Sequence, residues 1–327
     1  MTTRRALITA LAAAAVAPSA LWAQAPAKIY RIGHLSGSGA EASKAFMDAF
    51  RGGLRELGYT EQRHFVLEER YAGGKFERLP ALAQELVAAK CDVWLVSTTP
   101  ANIAAKAANS TIPHVMVLIA DPVGAGVVSN LAHPGSNITG VTNIVSELAG
   151  KRLEILKEIV PAASRVAVFI NPDSQNAPLQ MNVAQDAARR LKIQLQTHSI
   201  TSPGDLNKAF EAAIKGGAQA AIRMVDALAF MLRADTAKLA VAHRLPVMHL
   251  FREDVEAGGL VAYGANVPEQ YRQAATFVHK ILKGARPGDL PVEQPAKFEL
   301  AVNRHAAKAI GLSFPNSLLL RADLVVG

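Results

Sequence analysis

The sequence has one cysteine, few aromatic residues and no long apolar run beyond its first 25 residues. Cys91 cannot form a disulfide within the chain, and its place before the apolar run VWLV predicts a core residue. Aromatic residues make up 6% and charged residues 19% of the 327 residues, while 50% are hydrophobic, which is typical of a globular chain of about two domains. No later stretch has the roughly 18 consecutive apolar residues of a transmembrane helix.

Motifs for catalysis, metal binding and nucleic-acid binding are also missing. The nine histidines are scattered, and no G-x-S-x-G, H-E-x-x-H or Walker motif occurs. A catalytic triad could be imagined from His34, Ser36 and Asp121, but nothing in the spacing of these residues favours one. The net charge is +8, but the sequence contains no run of five or six basic residues. The sequence therefore predicts no catalytic residue, no metal, no cofactor and no nucleic-acid partner.

The first 25 residues have the composition of an export signal. Arg4 and Arg5 precede an Ala/Leu-rich apolar stretch that ends in small residues. A buried helix would need a polar face, and none exists between Leu7 and Ala20. We expect cleavage near residues 23–25 and a periplasmic protein, with both the general secretory and the twin-arginine export route open.

From residue 29 onward, apolar runs alternate with amphipathic helical patterns. The candidate strands are YRIGHL, HFVLEERYA, DVWLVS, HVMVLI, NITGVTN, RVAVFIN, IQLQTHSI, AAIRMV, LPVMHL, GGLVAYG and FELAVN. Apolar strands that alternate with helices predict parallel sheets covered by helices on both faces. Because the first ten of these strands, five before about Thr142 and five after it, are already many for one open sheet, we expect an α/β protein with two doubly wound lobes.

The segment RIGHLSGSGAEAS matches the spacing of a dinucleotide-binding fingerprint. Gly37, Gly39 and Ala42 give G-x-G-x-x-A between a strand and a helix. That fold also needs an acid about 20 residues beyond the glycines, whereas Glu68 and Glu69 lie roughly 30 residues beyond Gly39. The segment is therefore interpreted as a ligand-binding loop whose glycines let a ligand approach backbone N–H groups.

Polar and aromatic residues recur directly after the predicted strands, where ligands bind in open α/β sheets. The candidate ligand-binding residues are Ser36, Gly37, Thr98, Thr99, Asp121, Asn171, Asp226, Phe251 and Tyr263. Hydroxyls at helix starts favour an anion, carboxylates favour a cation, and the rings supply apolar walls, which together suit a zwitterion such as an amino acid. The hydroxyls could instead be helix caps, and Asp121 could be a turn residue before Pro122. Of the two aspartates, Asp121 is the one that we expect to bind the ammonium group.

Three long stretches resemble one family. DPVGAGVVSNLAHPGSNITGVTN from Asp121, HRLPVMHLFREDVEAGGLVAYGAN from His243 and ILKGARPGDLPVEQPAKFELAVNRHAAKAIGL from Ile281 are similar to ABC-transporter substrate-binding proteins of the tryptophan/aromatic-amino-acid receptor type. The resemblance implies a type I periplasmic binding protein that captures a small solute between two lobes. It further implies a monomer that is not an enzyme and that hands an amino acid, aromatic or branched, to an ABC permease in the inner membrane. A ligand-sensing module that signals to a membrane partner is the alternative.

The resemblance also implies three crossings between the lobes, near Thr142, Asn266 and Val292. The expected division is an export signal at 1–25, an N-terminal lobe of 28–142 plus 266–292, and a C-terminal lobe of 143–265 plus 293–327.

Overall fold

The computed structural model describes residues 28–109, 111–143 and 146–327. The predicted export signal lies outside these residues. No helix in the described part of the chain combines the length and the apolar character needed to span a membrane.

The first half of the chain forms a five-stranded parallel sheet. Its strands are β1 (Tyr30–Ser36), β2 (Phe65–Tyr71), β3 (Val93–Ser97), β4 (His114–Ile119) and β5 (Ile138–Thr142). They lie in the order β2-β1-β3-β4-β5. Every residue of β3 and β5 is buried, because helices cover both faces of the sheet.

The second half forms a seven-stranded sheet in the order β12-β11-β10-β9-β8-β6-β7. Its strands are β6 (Arg165–Ile170), β7 (Gln194–Ser199), β8 (Ala220–Arg223), β9 (Val247–His249), β10 (Val261–Ala265), β11 (Phe298–Asn303) and β12 (Leu324–Val326). Only the β10–β11 pair is antiparallel among these described strands. The short strand β12 was absent from the sequence prediction.

Helices connect the strands on both faces of each sheet. They are α1 (Ala40–Glu56), α2 (Leu79–Ala88), α3 (Thr99–Ala108), α4 (Ala149–Ile159), α5 (Ala177–Leu191), α6 (Asp205–Lys215), α7 (Ala227–Met231), α8 (Arg233–Ala242), α9 (Arg252–Glu256), α10 (Val267–Leu282), α11 (Arg304–Ala309) and α12 (Asn316–Leu319). The predicted α/β fold with two parallel-sheet lobes is thereby confirmed.

The chain passes between the two sheets three times. It leaves the first sheet after β5, and after β10 it returns so that α10 packs on α1 and on β4 and β5. Glu293 then pairs with Val141 beside β5, and β11 rejoins the second sheet.

One apolar cluster contains residues from both lobes. Phe46 of α1 and Tyr271 of α10 belong to it together with Phe230 of α7 and Phe251 before α9. The ring centroids of Phe46 and Phe230 are 5.6 Å apart. The lobes are therefore in direct aromatic contact in this conformation.

Candidate functional site

Two adjacent cavities lie between the lobes, where strands of both sheets end. The inner pocket has a volume of about 30 Å³ and is lined by Thr98, Thr99, Leu118, Ala120 and Asn143 from one lobe and Val225, Asp226, Ala227, Phe230 and Phe251 from the other. The outer groove has a volume of about 970 Å³. Thr99, Asp226 and Ala227 line both cavities, so the inner pocket and the outer groove meet at these residues.

The outer groove has apolar walls on both sides. Phe76 and Ile103 contribute from the first lobe, and Leu228 and Met231 from the second. A Cβ at Gly74 would overlap the Met231 side chain, which shows how closely the lobes approach at the edge of the groove. The groove thus offers apolar contact beside the polar residues at its inner end.

The backbone is strained at two residues that line the inner pocket. Thr98 has a φ of +80° and Leu118 a φ of +54°, a region that non-glycine residues rarely adopt. The Thr98 N–H donates to the carbonyl of Val117 at 3.3 Å, and its carbonyl accepts from Asn102 Nδ2 at 2.8 Å. Strain that the surrounding structure holds in place is typical of functional sites.

Three polar atoms of the inner pocket have no hydrogen-bond partner within the described part of the chain. They are Thr98 Oγ1, Asn143 Oδ1 and Asp226 Oδ2, and all three are shielded from water. Asn143 is 2% and Thr98 4% exposed. Because buried polar atoms are nearly always paired, three unpaired ones on residues around a single cavity mark it as a candidate site for a polar group.

The two carboxylate oxygens of Asp226 differ in their hydrogen bonding. Its Oδ1 accepts a hydrogen bond from the N–H of Ala229 and caps α7, whereas Oδ2 is unpaired among the described residues. Burial raises the pKa of Asp226 above its usual value, and the charge of Arg223, the N–H of Ala229 and the side chain of Asn171 oppose this effect. A cationic group in the inner pocket would favour the ionised carboxylate further.

Ser36 and Gly37 lie behind the cavity walls. Ser36 Oγ accepts from the Ser97 hydroxyl at 2.9 Å and from the Ser38 N–H at 3.1 Å, so it is already paired. A Cβ at Gly37 would lie 2.6 Å from Thr98 Oγ1. Gly37 is therefore required for the position of Thr98, and neither Ser36 nor Gly37 lines the two cavities.

Asp121 and Tyr263, which the sequence predicted as ligand-binding residues, are also outside both cavities. Asp121 Oδ1 accepts from the Gly124 N–H at 2.8 Å, which is the turn role that the sequence left open. Tyr263 lies within β10 and packs against Phe298 with ring centroids 6.1 Å apart. Its ring is partly buried and packs against the core of the second lobe.

The remaining predicted residues come together. Thr98, Thr99, Asp226 and Phe251 line the inner pocket, and Asn171 lines the outer groove. Asn171 Oδ1 accepts from the Asp173 N–H at 3.0 Å, so part of its side chain stabilises its own loop.

Sequence reasoning missed several residues of the site. Asn143 directly follows β5, so the rule applied to the other strands would have identified it. Phe76 and Phe230 lie in helical segments after loops, and no periodic pattern marks them as cleft residues. Their position depends on the packing of one lobe against the other.

The fold and sequence are similar to those of known binding proteins. A curated "Tyrosine-binding protein" of Clostridioides difficile is 25% identical over 286 residues, which cover 86% of this chain and 81% of that protein. A conserved domain protein of Vibrio cholerae has a TM-score of 0.84 at 26% identity, covering 91% of this chain and 100% of the other.

A third similar structure is that of a Streptococcus pneumoniae ABC domain in complex with L-Trp. Its TM-score is 0.84 at 22% identity, and the match covers 91% of this chain and all of the other. At this identity the likeness concerns the fold.

The family model described as "ABC transporter substrate binding protein" matches residues 38–326, almost the whole described chain. The predicted family is thereby confirmed. The chain belongs to the ABC transporter substrate-binding proteins, which bind solutes and are not enzymes.

Proposed function

We propose that this protein binds an amino acid in the cleft between its lobes. The observation that carries the proposal is the set of three unpaired polar atoms, Thr98 Oγ1, Asn143 Oδ1 and Asp226 Oδ2, around the inner pocket. A primary ammonium group has three N–H donors, and all three atoms can accept. The pocket volume of about 30 Å³ suits a group of about the size of a water molecule or two.

The carboxylate of the ligand has a suitable site next to this pocket. Thr99 begins the ten-residue helix α3, whose N-terminal N–H groups and dipole favour an anion. Thr99 and Asp226 both line the two cavities, so the α-carbon of an amino acid could join a carboxylate beside Thr99 to an ammonium near Asp226. In this proposal Asp226, rather than Asp121, binds the ammonium.

The side chain of the ligand would extend into the outer groove. The inner pocket has no room for it, whereas Phe76, Ile103, Leu228 and Met231 provide apolar contact in the groove. The similarity to a tyrosine-binding protein and to a fold solved with L-Trp supports an aromatic amino acid, with a branched one as the second choice.

We further propose that the protein is exported to the periplasm, closes by hinge bending around the three crossings, acts as a monomer and delivers its ligand to an ABC permease. Family membership and the export-signal composition of residues 1–25 support this role. The proposed lobes remain 28–142 plus 266–292 and 143–265 plus 293–327. A sensing role is the alternative, and loss of labelled amino-acid uptake in a deletion strain would favour import over it.

Calorimetry with L-tyrosine, L-tryptophan and L-leucine tests ligand binding. Tyramine lacks the carboxylate and 3-(4-hydroxyphenyl)propionate lacks the amine, so the two analogues separate the proposed subsites. We expect the amine-free analogue to lose more affinity, because it leaves Asp226 unpaired beside a buried anion. Equal binding of the amine-free analogue and L-tyrosine would contradict the ammonium subsite.

A further inference from the structure

Asp254 is a buried carboxylate just outside the cleft. It lies in the first turn of α9 and is 2% exposed, and it lines neither the inner pocket nor the outer groove. Its Oδ2 accepts from the N–H of Phe251 at 2.7 Å and from the N–H of Leu250 at 3.2 Å. One oxygen thus holds the backbone of two successive residues between β9 and α9.

The surroundings of Asp254 are positively charged. Arg223, which is 4% exposed, Arg233 and Arg152 are near enough to interact electrostatically with this carboxylate. His249 Nδ1 lies 3.9 Å from Asp254 Oδ1, but burial lowers the pKa of His249 to about 3, so the ring is neutral. Burial raises the pKa of Asp254 to about 6, so the arginines offset only part of the cost of a carboxylate in this place.

The residue held by Asp254 is an aromatic wall of the inner pocket. Phe251 is 2% exposed, and its ring meets that of Phe230 edge-on with centroids 6.1 Å apart. The guanidinium of Arg233 lies 4.6 Å from the centre of the Phe230 ring, and its Nη1 donates to the Phe230 carbonyl at 3.0 Å. Both aromatic walls of the pocket are thus connected to the buried polar group around Asp254.

We infer that Asp254 is a positioning residue for ligand binding: its two hydrogen bonds fix the backbone of Phe251 and so the ring that faces the ligand. The inference rests on the proposed function, because Phe251 matters only if a ligand occupies the inner pocket. A simple helix-capping role would stabilise α9 without changing the affinity for the ligand. A positioning role changes this affinity through Phe251, which lines the inner pocket whereas Asp254 does not.

A double-mutant cycle between Asp254 and Phe251 distinguishes the two roles. Calorimetry with L-tyrosine and L-leucine would be done on wild type, Asp254→Leu, Phe251→Ala and the double variant. We expect Asp254→Leu to lower the affinity for L-tyrosine about tenfold when Phe251 is present. In the Phe251→Ala background the same substitution should lower it less than about threefold. Equal losses in both backgrounds would overturn the inference.

Asp254→Asn separates hydrogen bonding from charge. Asparagine keeps an acceptor for both N–H groups, so it should retain L-tyrosine affinity within about threefold, whereas a loss as large as that of Asp254→Leu would overturn the positioning role. Asp235→Asn, which removes an exposed carboxylate from the neighbouring α8, is the control and should change nothing. If Asp254→Leu does not fold, Asp254→Ser takes its place, because its shorter side chain cannot reach both N–H groups.

Hydrogen exchange of the Leu250 and Phe251 amides in the ligand-free protein tests the positioning without any ligand. We expect faster exchange in Asp254→Leu and wild-type protection in Asp254→Asn, and unchanged exchange in Asp254→Leu would contradict the inference. If the wild type binds none of the amino acids, the proposed function fails while this measurement still decides whether Asp254 holds Phe251.

Discussion

At the scale of single residues, the pairing of each oxygen decides which polar side chain can bind a ligand. Asp121 and Asp226 both follow a strand, but Asp121 is engaged in its turn with Gly124, whereas Asp226 Oδ2 is shielded from water and unpaired among the described residues. An unpaired buried carboxylate gains most from a cationic ligand, because the ligand replaces the lost hydration. The two aspartates should therefore respond differently to the same substitution.

The first prediction compares Asp226→Asn with Asp121→Asn. Removing the Asp226 charge should weaken binding of the amino-acid ligand by about 2–5 kcal/mol, because the ammonium would then be buried without a counter-ion. Asp121→Asn keeps the acceptor for the Gly124 N–H and should change affinity by less than about 0.5 kcal/mol. Calorimetry measures both, and a larger loss in Asp121→Asn would restore the assignment made from the sequence.

The sequence could predict part of the site at this scale. Residues after strands are placed by topology alone, and Thr98, Thr99, Asp226 and Phe251 all line the inner pocket. Sequence cannot show that Ser36 is already paired with Ser97 or that the Tyr263 ring packs against Phe298, because both depend on how the strands are placed beside each other. Phe230 was beyond reach, since its contact with Phe46 joins two lobes.

At the scale of elements, neighbouring glycines have different roles because their Cβ positions face different surroundings. In the loop between β1 and α1, a Cβ at Gly37 would lie 2.6 Å from Thr98 Oγ1, whereas a Cβ at Gly39 would meet nothing within 4 Å. Of these two glycines in the fingerprint spacing, only Gly37 is therefore explained by packing against the β3–α3 loop.

We predict that Gly37→Ala lowers ligand affinity about tenfold, because the added methyl group displaces the Thr98 hydroxyl from the inner pocket. Gly39→Ala is the matched control, which should leave affinity unchanged although it alters the N-cap of α1. Calorimetry and thermal melts on both variants separate binding from stability. A similar loss of affinity in both would argue against this account.

The helix pair α1–α10 offers a second matched comparison. A Cβ at Gly53 would lie 2.8 Å from the carbonyl oxygen of Arg272 and 2.9 Å from the Cβ of Ala275, while the nearest atom to one at Gly52 is 3.8 Å away. We expect Gly53→Ala to lower the free energy of unfolding by about 1–3 kcal/mol through overpacking. Gly52→Ala should raise it by about 0.5–1 kcal/mol, since alanine favours a helix. Urea denaturation distinguishes the two, and equal effects would be inconsistent with the close approach of α1 and α10.

At the scale of the whole molecule, alternation of strands and helices was sufficient to predict the two-lobed α/β fold, because each parallel strand needs a crossover of this kind. The ten strands expected before Asn266 all formed within a few residues of their predicted bounds. The short β12 escaped prediction, since three residues at the edge of a sheet carry almost no periodic signal. How tightly the lobes meet could not be predicted, because it depends on side chains far apart in sequence.

The last prediction concerns closure of the lobes. α7 places Phe230 against Phe46 of the other lobe, and both rings belong to an apolar cluster that contains residues of both lobes. If the molecule opens at its three crossings, this aromatic contact exists only in the closed state, and Phe230→Ala removes stabilisation of about 3–5 kcal/mol from that state. Small-angle scattering should therefore show a ligand-induced decrease in radius of gyration for the wild type and a smaller one for Phe230→Ala at equal saturation.

Phe314→Ala is the control for this experiment, because Phe314 is buried in the core of the second lobe and makes no contribution to the shared cluster. It should lower the melting temperature yet keep the full decrease in radius of gyration. A wild-type radius that does not change with ligand would contradict hinge closure itself. An unchanged response in Phe230→Ala would instead mean that closure depends on the ligand and the crossings, and that the aromatic contact between the lobes merely accompanies it.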